Sequence, residues 1–202
     1  MGIKERRDEE KTNMKKEIMN AAIDIIKQDG YEKLSIRKIA TKIEYSPTTI
    51  YLYYKDKAEI ITDMSDELYD KVMGSIVAVI NEDATLPIDK QVHDIMCVFI
   101  KGLCSEPEMV KAIMYSGVNV IFANNSSDEK PSNSGIDMLD DLISDGIIQK
   151  VFRPNIGSSA WMVVSALLGF VLSAIENQLY LVDNFHKHID DFVGILMGGI
   201  KQ

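Results

Sequence analysis

Three helix starts lie within one short stretch of the chain, and this crowding limits the possible fold more than any other feature. Ser35, Ser46 and Asp56 each carry a side-chain oxygen that can accept hydrogen bonds from the free N–H groups of a helix's first turn. Pro47 follows Ser46 directly and suits the first helical position, where no N–H is needed. Apolar residues recur at helical spacing after each cap. The stretch predicts two short helices followed by a long one, near residues 36–43, 47–53 and 56–81.

A further helix is predicted ahead of this stretch, near residues 13–29, with Gly30 at its C-terminal end. Two short helices cannot bury enough apolar surface alone, so this helix is expected to complete a small three-helix core. Only Glu44 and Tyr45 separate the first short helix from the cap of the second. Such a tight pair is a helix-turn-helix, whose second helix enters the major groove of DNA.

The residues from Gly30 to Lys57 resemble the N-terminal DNA-binding domain of TetR-type transcriptional regulators, and the resemblance extends over roughly residues 14–61. Glu44 stands at a turn position where that family usually has glycine, and Tyr45 replaces a small aliphatic residue. The resemblance implies an all-α protein with two domains. These are a helix-turn-helix DNA-binding domain, residues 1–55, and a helical ligand-binding and dimerisation domain, residues 56–202.

The charge distribution agrees with DNA binding despite a net charge of −9. Residues 1–60 contain 13 Lys and Arg against 11 Asp and Glu, a net charge of +2, which leaves 9 against 20, or −11, for the remainder. Residues 33–57 alone contain 6 basic and 2 acidic residues. A basic patch on an acidic protein can approach phosphates while the remaining surface repels them.

The candidate DNA contacts are of two kinds. The N-terminal side chains of the helix at 47–53 can meet base edges, and Arg37 is a bidentate donor suited to guanine. The family resemblance implies that Tyr51, Tyr53 and Lys57 hold phosphates and that Ser35 adds its helix N-terminus, whereas Tyr54 is expected in the core. The predicted DNA-binding residues are Ser35, Arg37, Ser46, Pro47, Thr48, Thr49, Tyr51, Tyr53 and Lys57.

The rest of the chain is predicted to form helices that are separated by proline-containing breaks. The apolar segment from Trp161 to Ile175 is too short for a comfortable membrane span, so no membrane association is predicted. No signal peptide is apparent and two cysteines give no disulfide framework, so a cytoplasmic protein is expected. The predicted helices lie near Ile88–Cys104, Pro107–Tyr115, 118–124, 136–149, 158–181 and Phe185–Ile200.

The helices near 136–149 and 158–181 carry enough apolar surface to pack against a second copy of the chain, which predicts a homodimer. The resemblance implies a four-helix interface here, with residues 146–154 as the linker between the two helices. A two-fold dimer places its recognition helices one DNA turn apart and therefore prefers a palindromic operator.

The second domain contains most of the 11 methionines, which suit an apolar cavity but pack more often as plain core. The resemblance implies a small-molecule effector that binds in this domain and releases a repressor from its operator. The predicted wall of the cavity is His93, Cys97, Ile100, Met114, Tyr115, Val118, Phe122, Trp161 and Ser165.

Two other functions compete with an effector-controlled regulator. His93 and Cys97 lie four residues apart on one helical face, which suggests a thiol- or metal-responsive DNA-binding sensor, although the sequence offers no third ligand and therefore predicts no metal site. A helical ligand-binding dimer without DNA affinity is the other alternative. The sequence contains no Gly-rich phosphate loop, no nucleophile elbow and no paired motif acid and base, so neither an enzyme nor a cofactor is predicted.

Overall fold

The computed structural model describes residues 2–82, 85–117, 135–154, 156 and 159–202. These residues form nine α-helices and two single-turn 3₁₀ helices, and their β pairing is limited to one bridge between Phe152 and Lys201. The all-α fold class is therefore confirmed. The α-helices are α1 (Ile3–Asp29), α2 (Ile36–Lys42), α3 (Pro47–Tyr51), α4 (Lys57–Glu82), α5 (Ile88–Cys104), α6 (Pro107–Tyr115), α7 (Gly135–Ile148), α8 (Ser159–Glu176) and α9 (Phe185–Ile200).

Contacts divide the chain into two compact units, and α4 contributes residues to both. The first unit comprises Met1–Leu68 and Pro107–Asn125. Within it, α1 packs on α2 and α6, and α2 packs on α3. Ile18, Ile39 and Ile50, one from each of the first three helices, are fully buried. The predicted three-helix core is therefore present, and α6 adds a fourth helix to it.

The predicted caps of the helix-turn-helix are confirmed by their hydrogen bonds. Ser35 Oγ accepts from the N–H of Lys38 at 3.3 Å, and Ser46 Oγ accepts from the N–H of Thr49 at 3.1 Å. Asp56 Oδ1 accepts from the N–H of Glu59 at 3.0 Å. Each cap satisfies one backbone donor that the first helical turn leaves unpaired. The short helices end slightly earlier than predicted, at Lys42 and Tyr51.

Helix α1 begins at Ile3, well before the predicted start near residue 13. Its N-terminus is closed by the Glu5 carboxylate, which accepts from the N–H of Gly2 at 2.7 Å. Arg6 and Glu10 form an ion pair at 3.0 Å across one turn of this charged segment. No glycine or proline interrupts residues 3–29, so the segment continues the helix.

The second unit comprises Tyr69–Glu106 and Ser126–Gln202. Helix α5 is its centre, since it contacts α7, α8 and α9 and buries Val92, Met96 and Ile100. The bounds of α5 and α9 agree with the prediction, and so do those of α6 in the first unit. Among the described residues, no helix combines the length and apolar character needed to cross a membrane.

The predicted helix at 158–181 is interrupted near its end. Helix α8 stops at Glu176, Gln178 adopts a left-handed conformation with φ 55°, and Leu179–Leu181 form a separate 3₁₀ turn. The left-handed residue breaks the helical path. Helix α7 spans Gly135–Ile148, close to the predicted 136–149, and the predicted helix at 118–124 lies outside the described residues.

The segment after α7 is anchored to the end of α9. Phe152 is fully buried and packs so closely on Gly146 that a Cβ there would collide with the phenyl ring. Arg153 donates through Nε to the carbonyl of Lys201 at 2.7 Å and through Nη2 to that of Gly198 at 3.2 Å. The guanidinium thus satisfies carbonyls that the C-terminal turn of a helix leaves unpaired.

Candidate nucleic-acid interface and ligand-binding residues

Helix α3 presents its N-terminal residues to solvent. Ser46, Pro47 and Thr48 are exposed and Thr49 is partly exposed, whereas Ile50 is fully buried. The apolar side of this short helix is therefore fixed in the core of the first unit, and its polar side faces outward. A duplex can reach the polar side without any rearrangement of the core.

The two hydroxyls at the start of α3 are ordered by each other. Ser46 Oγ lies 2.9 Å from Thr49 Oγ1, in addition to accepting the N–H of Thr49. Their positions therefore do not depend on a bound partner. Thr48 lies between them in the sequence, and its hydroxyl makes no hydrogen bond with the described part of the chain.

The tyrosines that follow divide into surface and core residues. Tyr51 is 58% exposed and Tyr53 is half-buried, whereas Tyr54 is buried as predicted. The Tyr54 hydroxyl donates to Asp63 Oδ2 at 2.9 Å, and Lys15 Nζ contacts the same oxygen at 3.0 Å. Burial, followed by the hydrogen bond to Asp63, raises the pKa of Tyr54 far above its usual value. Tyr54 is therefore a neutral structural residue.

The cations of the basic patch differ in how far they are already neutralised. Lys38 lies 2.8 Å from Asp29 and Lys42 lies 3.3 Å from Asp24. The hydrogen bond from Lys38 lowers the pKa of Asp29, so this carboxylate is ionised at neutral pH. Arg37 is exposed and forms no ion pair with the described residues. It is therefore the patch's best candidate for a direct DNA contact.

Lys57 has an aromatic partner. Its Nζ lies 4.4 Å from the centre of the Tyr31 ring, a cation–π contact, and it forms no ion pair with the described residues. The contact restricts the side chain at the N-terminus of α4. A phosphate near this position would meet a cation that is already oriented.

The turn between α2 and α3 uses a left-handed residue that is not glycine. Glu44 has φ 60°, and its side chain is exposed. The next N–H, that of Tyr45, donates back to the carbonyl of Ala40 at 2.9 Å and closes the end of α2. The turn therefore keeps the geometry that glycine normally provides, in spite of the substitution.

The predicted effector-binding residues are distributed over both units. His93, Cys97, Ile100, Trp161 and Ser165 belong to the second unit, and Met114 and Tyr115 belong to the first. Ile100 is fully buried, whereas Ser165 is exposed on α8. Val118 and Phe122 lie outside the described residues. The role of these residues in effector binding therefore stays a prediction.

Sequence reasoning missed one residue beside His93 and Cys97. Asp190 of α9 lies 3.5 Å from His93 Nε2 and 3.9 Å from Cys97 Sγ, measured from its Oδ1. The residue is far away in the sequence and has no local motif, so only packing of α9 on α5 brings it near. Burial, with a smaller contribution from Asp190, raises the pKa of Cys97 to about 11, and burial raises that of Cys104 to about 11. Both thiols are therefore protonated at neutral pH, unlike the low-pKa thiolates typical of redox sensors.

Comparison with known proteins relates the first unit to bacterial regulators. Residues 18–64 match the family model described as bacterial regulatory proteins, tetR family. The chain is 33% identical over 67 residues to the fatty acid metabolism regulator protein of Bacillus subtilis, an alignment covering 33% of this chain and 32% of that protein. It is 25% identical over 104 residues to the HTH-type nicotine-responsive transcriptional repressor of Paenarthrobacter nicotinovorans, covering 52% and 53% of the two chains. The chain thus aligns with only about a third to a half of the length of these relatives.

The whole fold also matches a solved structure. The fatty acid degradation regulator from Bacillus halodurans superimposes with a TM-score of 0.73, covering 92% of this chain and 95% of that one, at 18% sequence identity. At this identity the similarity establishes the fold alone. It extends from the helix-turn-helix through the second unit.

Proposed function

We propose that this chain is a TetR-type transcriptional repressor that binds a palindromic operator as a homodimer and is released by a small molecule, because residues 18–64 match the tetR-family model and the fold matches that of a solved regulator. The observation that carries the proposal is the exposed N-terminus of α3 within a basic patch. Three parts of the proposal are separately testable: the DNA contact, the dimer and the effector.

The DNA contact follows from the chemistry of the exposed residues. The hydroxyls of Ser46, Thr48 and Thr49 can bond base edges or phosphates, and the carbons of Pro47 and the threonines can pack on thymine methyl groups. Arg37 supplies a bidentate donor for guanine. Tyr51, Tyr53 and Lys57, with the N-terminus of α2 at Ser35, hold the phosphates on either side.

The DNA proposal is tested by selecting binding sites from a random duplex pool with the purified full-length chain. We expect an inverted repeat with half-sites one helical turn apart, and an affinity that falls steeply with salt because several phosphates are neutralised. Arg37→Ala should weaken binding to the selected site about tenfold, since a bidentate base contact contributes about 1–3 kcal/mol.

Lys187→Ala is the matched control for charge, because Lys187 is an exposed cation on α9, outside the basic patch. It should leave the affinity unchanged. If selected and random duplexes bind equally well, or if Arg37→Ala and Lys187→Ala behave alike, the proposed readout is wrong.

The homodimer is proposed to form through α7 and α8. Exposed residues on α8 recur every three or four positions, at Met162, Ser165, Gly169 and Ser173. Met162 is 64% exposed, and a Cβ built on Gly169 would meet no atom within 4 Å. An apolar and small-residue face of this kind suits close packing against the same helix of a second copy.

Gly169→Glu tests the dimer, because it places a charge at the centre of that face. We expect sedimentation velocity to show a dimer for the parent chain and a monomer for the variant. Gly74→Glu is the control, since Gly74 is also an exposed helical glycine with open space around it, but lies on α4. A monomeric parent chain, or a dimer that survives Gly169→Glu, contradicts the proposed interface.

The effector is proposed to be a small lipophilic cation. Residues 61–202 carry 9 basic and 20 acidic residues, a balance that attracts cations and repels polyanions. Two lysines of the second unit are paired with carboxylates, Lys71 with Glu106 at 2.9 Å and Lys201 with Asp89 at 2.6 Å, and such one-to-one pairs leave the acidic excess unchanged. The nicotine-responsive relative is named for a ligand of this chemical class, whereas the fatty acid regulators suggest an anionic alternative.

Release requires that effector and DNA stabilise different conformations, so their binding must be reciprocally coupled. Nicotine and a long-chain fatty acid, titrated into free and operator-bound protein, test both classes of ligand. Weaker binding of nicotine to the DNA complex supports the proposal. Equal affinities for the two states exclude an inducer of either class, and coupling of the fatty acid alone would replace the cation with an anion.

A further inference from the structure

We propose that His93, Cys97 and Asp190 form a binding site for a divalent transition metal of the zinc class, with one coordination position open to solvent. The site goes beyond the proposed regulator function and does not depend on DNA binding. It joins two helices of the second unit, because His93 and Cys97 belong to α5 and Asp190 belongs to α9.

The ligand atoms are spaced almost as a bound metal requires. One nitrogen, the sulfur and one carboxylate oxygen all lie within 4.8 Å of one another. His93 Nε2 is 3.5 Å from Asp190 Oδ1, and Cys97 Sγ is 3.9 Å from the same oxygen. Zinc bond lengths of about 2.0–2.3 Å in a tetrahedron place N and O about 3.4 Å apart and S and O about 3.6 Å apart. The two distances to Asp190 Oδ1 therefore differ from the required spacings by only a few tenths of an ångström. Cys97 Sγ lies 3.9 Å from the other ring nitrogen, Nδ1, so binding through Nε2 also requires the imidazole ring to turn towards the sulfur.

A neighbouring carboxylate orients the histidine. Asp94 Oδ1 lies 3.0 Å from His93 Nδ1, whereas Asp190 Oδ1 lies 3.5 Å from the other ring nitrogen, Nε2. A hydrogen bond from Nδ1–H to this carboxylate leaves the lone pair on Nε2, the nitrogen that faces Asp190. Asp94 is thus a positioning residue, in the carboxylate–histidine–metal arrangement common in zinc proteins.

The chemistry and accessibility of the donors select the metal class. Metal binding displaces the Cys97 proton to solvent, and the resulting thiolate, with an imidazole, favours borderline transition ions over magnesium and calcium, which prefer oxygen ligands. Cys97 is buried, whereas His93 is about a quarter exposed and Asp190 is exposed, so the cluster opens to water on one side. Three protein ligands and an open side match the coordination of zinc sites that also bind a water molecule or another small ligand.

Cobalt is the best probe, because Co²⁺ can occupy zinc sites and its visible absorption spectrum depends on the ligands that bind it. Untagged full-length protein, stripped with a chelator, is titrated with Co²⁺ under reducing conditions. We expect one ion per chain, a tetrahedral visible spectrum and a thiolate-to-cobalt charge-transfer band, all lost on adding Zn²⁺. Zinc should also raise the melting temperature, because it links α5 to α9.

Matched substitutions assign the ligands. Cys97→Ser should abolish the charge-transfer band, whereas Cys104→Ser should retain it, since the latter thiol is also buried but is outside the cluster. Asp190→Asn should weaken Co²⁺ binding at least tenfold and Asp191→Asn should not. Asp94→Asn should weaken binding about 10–100-fold while the charge-transfer band persists at saturation.

Titration of the parent chain alone can overturn the site even if a variant fails to fold. Stoichiometric Co²⁺ with a thiolate band that depends on Cys97 supports the site. Absence of the band, or binding that is insensitive to both Cys97→Ser and Asp190→Asn, overturns it and leaves the three residues as a hydrogen-bonded cluster only.

Discussion

Replacing Glu44 with glycine should make the helix-turn-helix more stable, although the substitution removes a whole side chain. Glu44 has φ 60°, in the left-handed region that L-residues with a Cβ rarely adopt. Its side chain is exposed and makes no hydrogen bond or ion pair with the described residues. Its N–H donates weakly to the carbonyl of Thr41 at 3.4 Å. Removal of the side chain therefore breaks no hydrogen bond or ion pair within the described part of the chain.

The expected gain is the difference between two opposing terms. A left-handed conformation costs a non-glycine residue about 1–2 kcal/mol. Glycine loses more backbone freedom on folding, at a cost of about 0.5–1 kcal/mol. From the midpoints of the two ranges, Glu44→Gly should therefore increase the free energy of unfolding by about 0.75 kcal/mol. For a chain of this size the melting temperature should rise by roughly 1–4 °C.

Urea unfolding followed by circular dichroism measures this free energy. Glu44→Ala is the control, because it removes the same charge and side chain but keeps the Cβ that causes the strain. If Glu44→Gly is no more stable than Glu44→Ala, backbone strain at this turn does not limit stability. If both variants have the same increase in the free energy of unfolding, the Glu44 carboxylate itself, and not the backbone strain, destabilises the parent chain.

Three further predictions concern the cores of the two units. Gly146→Ala should lower the free energy of unfolding by about 1–3 kcal/mol, because the new Cβ collides with Phe152. Gly198→Ala is the control and should be nearly neutral, because a Cβ there meets open space. Equal urea midpoints for the two variants would contradict the tight packing at Gly146. Tyr54→Phe should lower the free energy of unfolding by about 1–3 kcal/mol, because it removes the hydrogen bond to Asp63. In a double-mutant cycle, the same substitution should cost much less in the Asp63→Ala background, and fully additive losses would refute the coupling. With a pKa near 11, the Cys104 thiol should resist iodoacetamide at pH 7.5 and react faster as pH rises. The Cys97→Ser protein leaves Cys104 as its one thiol, and rapid labelling of this native protein at neutral pH would contradict the burial of Cys104.

Local signals in the sequence predicted local structure well. The caps at Ser35, Ser46 and Asp56 act over three residues, so their side-chain chemistry is sufficient to locate the starts of the helices. Helix α5 begins directly after Pro87, and α6 begins at Pro107, where proline's fixed φ favours a first helical turn. These elements needed no knowledge of the tertiary fold.

Features that depend on partners distant in the sequence were not predictable in the same way. One local feature was also missed, since the predicted start near residue 13 leaves out the charged arm, in which pairs such as Arg6 and Glu10 support a continuous helix. Asp190 has no sequence motif that links it to His93 and Cys97, since the contact arises from packing of α9 on α5. Asp190, the third candidate metal ligand, could therefore be identified only from the folded structure.

The position of the single tryptophan has a practical consequence. Trp161 is 46% exposed on α8, next to the exposed Met162. Its indole emission responds to hydration and comes from this helix alone, so the unlabelled protein carries its own optical reporter. If two copies meet along α8, serial dilution should shift the emission to longer wavelength as water reaches the ring. The midpoint of that shift would give the dissociation constant of the pair without any engineered dye.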